Sequence, residues 1–385
     1  MTGTAVEPPS VPVGTPEPAR TGWLATYRYP LTVFAASRVA VYALIAAASW
    51  TSRVPRESGI SWHALFGALG QWDAVWYRWI ADHGYDPAIG HGNSAAFFPL
   101  YPLAWRPFSI LPGPMELWGS LLSTALFGGA LCVLYRITLG RYDEPMARRT
   151  VLYLSIFPLA FVFSLPYAES LFLLLTLGAF ALTWHGRTWA GAGVGALAVL
   201  ARPVGIALLP ALAWRTYRRH GFRLSAYLPL LLLPLAELLF FAYLGWRTGD
   251  FLANVHAQER GWERGVGVLP YVFGYTLWHD VLEGGQLRFL VHMGFTVLWC
   301  GLFYKAWRMR MPAEYLIYAA LLILLPTSGG LLVSIGRFGM VAFPLFWALA
   351  ELGESEGIDT LVKTAFPMLL AALVMITYTA HTFTP

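Results

Sequence analysis

Lysine is almost absent from this chain. Lys305 and Lys363 are the only two among 26 basic residues, and charged residues of both signs make up just 12% of the sequence. A water-soluble domain carries about 25%, so the shortage excludes an ordinary soluble fold and points to lipid as the main solvent. Cysteine is also nearly missing: Cys132 and Cys300 both fall inside apolar runs, where they read as small core residues, not as a disulfide or metal pair. Nine histidines are scattered without any HxxxH or CxxC spacing, so no metal-ligand motif is legible. The formal charge of +5 lies mainly in short basic loops. It sets membrane topology and implies no nucleic-acid partner.

What fills the chain is apolar: 57% of residues are hydrophobic and 16% aromatic. Runs such as "LLSTALFGGALCVLYRI", "LPLLLLPLAELLFFAYLGW" and "AFPMLLAALVMITYTA" are long enough to cross a bilayer, which takes about 20 residues per helix. Helices satisfy their own backbone in lipid, so the expected fold is all-α and polytopic, with about 9–11 membrane helices. Expected spans are 30–50, 115–136, 147–165, 169–185, 224–247, 288–306, 313–327, 337–351 and 361–381. Between "HGRT" and "WRTYRRHGFR", both basic, the chain is interrupted by "ARPVG". Two short helices broken at Pro203 and Gly205 keep both basic ends on one side, although one long helix fits the length nearly as well. Residues 1–22, rich in proline, read as a disordered cytoplasmic tail. Residues 23–385 read as one integral membrane domain in the cell membrane. Its external loops are 51–114 and 248–287, with 165–168 and about 328–336 on the same outer face.

Chemistry is expected on that face. "GQWDAVWYRWIADHGYD", residues 70–86, reads as an interfacial helix: Trp72, Trp76, Trp79 and His83 form one stripe, with Asp73, Tyr77 and Ile80 beside it. Tryptophans at a membrane surface are anchors. Asp73, desolvated between two of them, suits a general base, but a helix cap or a pair with Arg78 would also explain it. Asp82 and Asp86 belong to the helix end and turn. "AAFFPLYPLAWRPF" carries three prolines, so it reads as a broken segment that either lines a lipid groove or closes the protein against the bilayer. Arg202 and Glu237 lie in apolar runs, where a charge costs about 2.5–3.5 kcal/mol and needs a partner or a task. Arg38 and Arg202 could pair with Glu169 or Glu237. Arg337, in "SIGRFGMVAFP", is a natural phosphate holder. "VHAQERGWERG" sets His256 and Gln258 where a sugar or phosphate could use them, or forms an ordinary surface helix. With no phosphate loop or nucleotide fold, a lipid-borne donor is preferred to a sugar nucleotide.

"QWDAVWYRWIADHGY", "AAFFPLYP", "SIFPLAFVFSLPYAESLF" and "ARPVG", taken in order, resemble the pattern of the GPI mannosyltransferase 2 family. That family belongs to the C-type glycosyltransferases, multi-spanning enzymes that use polyprenyl-phosphate sugars. The resemblance implies an α-mannosyltransferase with Asp73 as its essential loop acid. It places Pro158, Ser164, Tyr167, Glu169 and Ser170 at the outer mouth of the site. Arg337, Arg202, Trp76, Tyr77, Tyr167, Glu169, His256 and Gln258 are the expected substrate-binding residues. The expected reaction is inverting transfer of mannose from polyprenyl-phosphate mannose to a lipid-glycan or protein acceptor of the cell envelope, with no cofactor and no obligatory metal. A transporter or flippase of a lipid-linked sugar is the alternative, which the single copy of the aromatic Asp motif disfavours.

Overall fold

The computed structural model describes residues 23–51, 66–85, 92–262 and 265–380. The tail 1–22, the turn at Asp86 and the first part of the 51–114 loop lie outside these residues. Among them there are helices and no strand. Among the described residues, five helical stretches are long and apolar enough to cross a membrane: Ala25–Thr51, Met115–Leu139, Leu224–Thr248, Arg288–Arg308 and Glu356–Thr379. Four shorter apolar helices stand among them: Glu169–Trp184, Thr188–Ala201, Ala313–Thr327 and Phe343–Leu352. We label α1 Trp23–Thr51, α2 Asp73–His83, α3 Leu100–Trp105, α4 Met115–Leu139, α5 Glu144–Ser155, α6 Glu169–Trp184, α7 Thr188–Ala201 and α8 Leu208–His220. After them come α9 Leu232–Thr248, α10 Ala253–Trp262, α11 Leu269–Tyr275, α12 Arg288–Arg308, α13 Ala313–Thr327, α14 Ile335–Met340, α15 Phe343–Leu352 and α16 Glu356–Met375.

The third expected span is where local chemistry overrides hydropathy. The 147–165 run is mainly apolar beyond Arg149, yet α5 starts earlier, at Glu144, because the Asp143 carboxylate caps it by accepting from the Met146 amide at 2.8 Å. It then stops at Ser155, three residues before Pro158, and the chain turns through a 3-10 segment, Ala160–Ser164. Carbonyls freed at that break need donors inside a membrane protein. Arg38 supplies them: its guanidinium donates to Ala160 O at 2.8 Å and Ser155 O at 3.1 Å, and also to Ser164 Oγ at 3.1 Å. Arg38 therefore caps a broken helix and pairs with neither Glu169 nor Glu237, correcting one alternative from the sequence. Its cation also sits 4.7 Å from the centre of the Phe127 ring.

The 188–220 region is two short helices. α7 ends at Ala201, and Pro203–Ala207 forms a 3-10 turn before α8. Both basic ends return to one side, since the Arg219 guanidinium lies 3.5 Å from where a Cβ on Gly186 would stand. Gly205 makes the turn possible by lying flush on α7; a Cβ there would sit 2.7 Å from the Ala198 carbonyl and the Val199 Cα. Those are backbone atoms and cannot swing aside. Gly205→Ala should therefore cost about 1–3 kcal/mol by overpacking and lower the melting temperature of the purified protein. An unchanged melting temperature would show that the turn has room to relax.

Glu169, Arg202 and Leu208 consequently share one end of the bundle, opposite Trp184, Thr188 and His220. At the opposite end, basic residues tie the helices together: Arg149 donates to Ala350 O at 2.8 Å, Arg215 meets Glu314 at 3.2 Å, and Lys305 meets Glu351 at 3.9 Å. Between the two ends runs one aromatic core. Phe157 touches Phe295, Trp299, Phe346 and Phe366 with ring centroids 5.1–5.6 Å apart.

Candidate active site

α2 begins at Asp73 because the backbone turns sharply at Trp72, whose φ of 53° lies in a region that L side chains rarely adopt. Trp72 is therefore outside the helix and leaves the expected tryptophan stripe; its ring meets Tyr378 edge-on at 5.4 Å. At the other end Gly84, with φ 70°, donates to Ile80 O at 2.8 Å and ends the helix. Arg78 pairs with Asp82 at 2.6 Å and Glu116 at 3.3 Å, so it is not the partner of Asp73.

The partner is Arg337, 264 residues away in sequence, whose Nη1 donates to Asp73 Oδ2 at 2.5 Å. The same Nη1 lies 3.2 Å from Glu169 Oε1, and that oxygen lies 2.5 Å from Nη1 of Arg202. Two carboxylates and two guanidiniums thus form a continuous chain: Asp73, Arg337, Glu169, Arg202. Their exposures differ in a way that matters. The Glu169 side chain is 2% exposed and each arginine 8%, whereas Asp73 retains 20%. The inner three are fixed, and the carboxylate at the rim faces solvent.

Each arginine is also positioned by an aromatic face, Arg202 at 4.7 Å from the Phe338 ring centre and Arg337 at 5.3 Å from that of Tyr167. Arg337 Nη2 donates to Ser334 Oγ at 3.0 Å. Ser334 is itself left-handed, with φ 67°. Trp72, Ser334 and Arg310 are the non-glycine residues with positive φ among the described residues, and two of those three flank Asp73 or Arg337. Strained backbone of this kind persists where surrounding contacts over-determine it, often at functional sites.

Asp73, Tyr77, Arg202, Gln258, Ser334 and Arg337 line the polar part of a cavity of about 280 Å³. Its remaining wall is apolar, built by Val204, Ile206, Leu325, Leu331 and Phe338, with Phe97 and Trp262 toward α10. Tyr77 is buried, and burial together with the nearby Glu169 carboxylate pushes its hydroxyl well above the usual phenol range. It is a neutral donor at physiological pH, and Asp73 is the carboxylate that lines the cavity.

The other expected residues fall in different places. Trp76 stands behind the wall, stacked on Phe97 at 6.0 Å and edge-on to Trp262 at 6.2 Å. Tyr167, 1% exposed, supports Arg337 from beneath. Glu169 lies behind the two arginines. His256 is not brought to the cavity: it pairs with Asp250 at 2.7 Å on a half-exposed surface of α10. Gln258, two residues on and so on the opposite face of the helix, does reach it. The alternative partner Glu237 stays half-buried on the Leu224–Thr248 span, and Arg202 takes Glu169 instead. Ser334 and Phe338, which orient the two arginines, were missed from sequence, although both flank Arg337 in "SIGRFG".

The sequence profile of the mannosyltransferase (PIG-V) family matches residues 28–227. The chain belongs to that family. The match includes Asp73, Tyr167, Glu169 and Arg202, and ends well before Arg337, so this PIG-V family member completes its charge chain from outside the matched region. Similar curated proteins are GPI alpha-1,6-mannosyltransferase 2 of Rattus norvegicus, 31% identical over 154 residues, and that of Mus musculus, 31% identical over 156. These matches cover 37% and 38% of this chain, and only 30% and 31% of those relatives' lengths. Among solved structures, an oligosaccharyltransferase of Archaeoglobus fulgidus aligns over 89% of this chain and 53% of its own, at 13% identity and a TM-score of 0.51. That likeness is one of fold alone, a shared all-helical architecture.

Proposed function

We propose that this chain is an inverting mannosyltransferase that takes mannose from polyprenyl-phosphate mannose and delivers it to a hydroxyl of a lipid glycan or cell-envelope protein. The observation that carries the reading is one cavity joining three features: a solvent-facing carboxylate, two buried arginines and an apolar wall. An apolar wall accepts a prenyl chain, and fixed guanidiniums accept its phosphate.

The steps balance as a single displacement. The acceptor oxygen attacks the anomeric carbon opposite the phosphate, forming the new C–O bond as the bond from the anomeric carbon to the phosphate oxygen breaks. The acceptor proton passes to an Asp73 carboxylate oxygen. The prenyl phosphate leaves with one additional negative charge, which Arg337 and Arg202 stabilise as it develops. A β-linked donor gives an α-mannoside. A phosphate leaves without a proton, so no second acid is needed, unlike in glycoside hydrolysis. Among the described residues no three of His, Cys, Asp and Glu gather as a metal-binding group, and the arginines can supply the positive charge. Transfer should therefore persist in excess EDTA; loss of transfer in EDTA, with recovery on adding a divalent ion, would refute this assignment of charge.

The basic ends of α6, α7, α8 and α12 lie at the end of the bundle away from Asp73. Basic loops stay inside, which supports a site facing the outside of the cell membrane. The deciding experiment supplies radiolabelled polyprenyl-phosphate mannose to membranes that contain the chain and to membranes that lack it. Label should appear in a lipid or protein acceptor only with the chain present. Transfer from a different prenyl-phosphate sugar would correct the sugar. Failure with a full donor panel, together with movement of the donor across the bilayer, would establish a flippase instead.

A further inference from the structure

The four charges of the site cancel: Asp73 and Glu169 against Arg337 and Arg202. An arriving phosphate meets no net positive charge and gains an ion pair only by displacing a carboxylate. Glu169 cannot be the one displaced, because it is 2% exposed and held between both guanidiniums. Asp73 can, because it stands at the rim, 20% exposed, at the start of a helix whose N-terminus favours a free carboxylate. Resting on the proposed function, we infer that the Asp73–Arg337 contact masks the base, and that the donor phosphate takes the place of Asp73 on Arg337 and so releases it.

Two further features fit the exchange. Arg337 Nε is buried and has no hydrogen-bond partner, so the guanidinium has unused donor capacity on the residue that lines the cavity. The α14 backbone is held fast: a Cβ on Gly336 would lie 2.8 Å from Phe295 Cδ2, so the helix sits flush on α12 and only the side chain is free to reorient. When Asp73 leaves, Glu169 remains beside Arg337 and keeps the buried cation paired, which is what makes the exchange affordable. Acceptor activation is thereby tied to an occupied donor site. A free base would otherwise stand in an empty cavity.

The test is a double-mutant cycle on binding, so it does not depend on turnover. Purified wild type, Asp73→Asn, Arg337→Gln and the double variant are titrated with undecaprenyl phosphate in detergent. Asp73→Asn should bind about tenfold more tightly than wild type, within the range expected for coupling between two sites. Arg337→Gln should bind at least about tenfold more weakly. The double variant should bind like Arg337→Gln alone. The double variant also removes the charge pair as a unit, so it keeps the fold neutral if Arg337→Gln unfolds, and then it alone should lack the Asn gain. Unchanged binding by Asp73→Asn would overturn the exchange. So would a tenfold gain that survives in the Arg337→Gln background, which would mean general electrostatics. This pattern without mannosyl transfer would sink the mannose reading and leave the exchange standing; transfer without the pattern would do the reverse. No binding by any of the four would remove both.

Discussion

Asp73→Asn is expected to reduce mannosyl transfer by about 10²–10⁴-fold, the usual contribution of a positioned general base. The substitution keeps the shape and one acceptor oxygen, and it removes the basicity together with the charge that pairs with Arg337. Asp73 is 20% exposed and at the edge of its charge chain, so its loss leaves Arg337 still beside the buried Glu169. The fold should therefore survive, as judged by elution volume and melting temperature. Tyr77 cannot substitute, since its proton is held too tightly at physiological pH. Measured at saturating donor, the loss should appear in the maximal rate. Equal rates for the variant and wild type would show that Asp73 only holds Arg337 in place.

Arg337→Ala should have an effect of comparable size, by a different route. It removes one of two cations on the departing phosphate, and loss of one such donor typically costs about 10²–10³-fold in rate. Donor affinity should fall as well, so KM for the donor rises while the maximal rate drops. Glu169 would then keep only Arg202, at 2.5 Å. One buried cation then faces two carboxylates, so a lower melting temperature should accompany the kinetic loss, by less than the about 3–5 kcal/mol of a buried charge left with no partner. Arg337→Lys separates the two effects. It restores the charge and most of the stability, but a single ammonium cannot serve Asp73, Glu169 and Ser334 together. Its rate should stay at least about tenfold below wild type. A fully active lysine variant would mean that charge alone suffices and that the forked geometry has no role.

Much of this protein could be read from residue order because bilayer physics is local. Apolar length decides where a helix crosses, and α4, α6, α12 and α13 begin and end within about four residues of the spans expected from hydropathy. Pro203 and Gly205 mark the break between α7 and α8 for equally local reasons of ring geometry and missing Cβ. Asp73, Arg202 and Arg337 stand out singly, because a charge in a chain with so few needs a purpose.

Their pairing is another matter. Nothing in the order of residues joins Asp73 to Arg337 across 264 positions, or selects Glu169 over Glu237 for Arg202. The sequence alone left Arg38 as an ion-pair candidate, and it is the broken end of α5 that draws it away. His256 and Gln258 look equivalent in "VHAQERGWERG", yet only one helix face reaches the cavity. By itself the sequence determined the class of solvent, the approximate spans and which charges were anomalous, since each depends on a short window of chain. Which charges meet, and which carboxylate stays at the rim while the other is sealed beneath two arginines, is decided only by how the helix ends converge. Charges attract through space, more strongly the closer they lie, so the partners are chosen by packing and not by position along the chain.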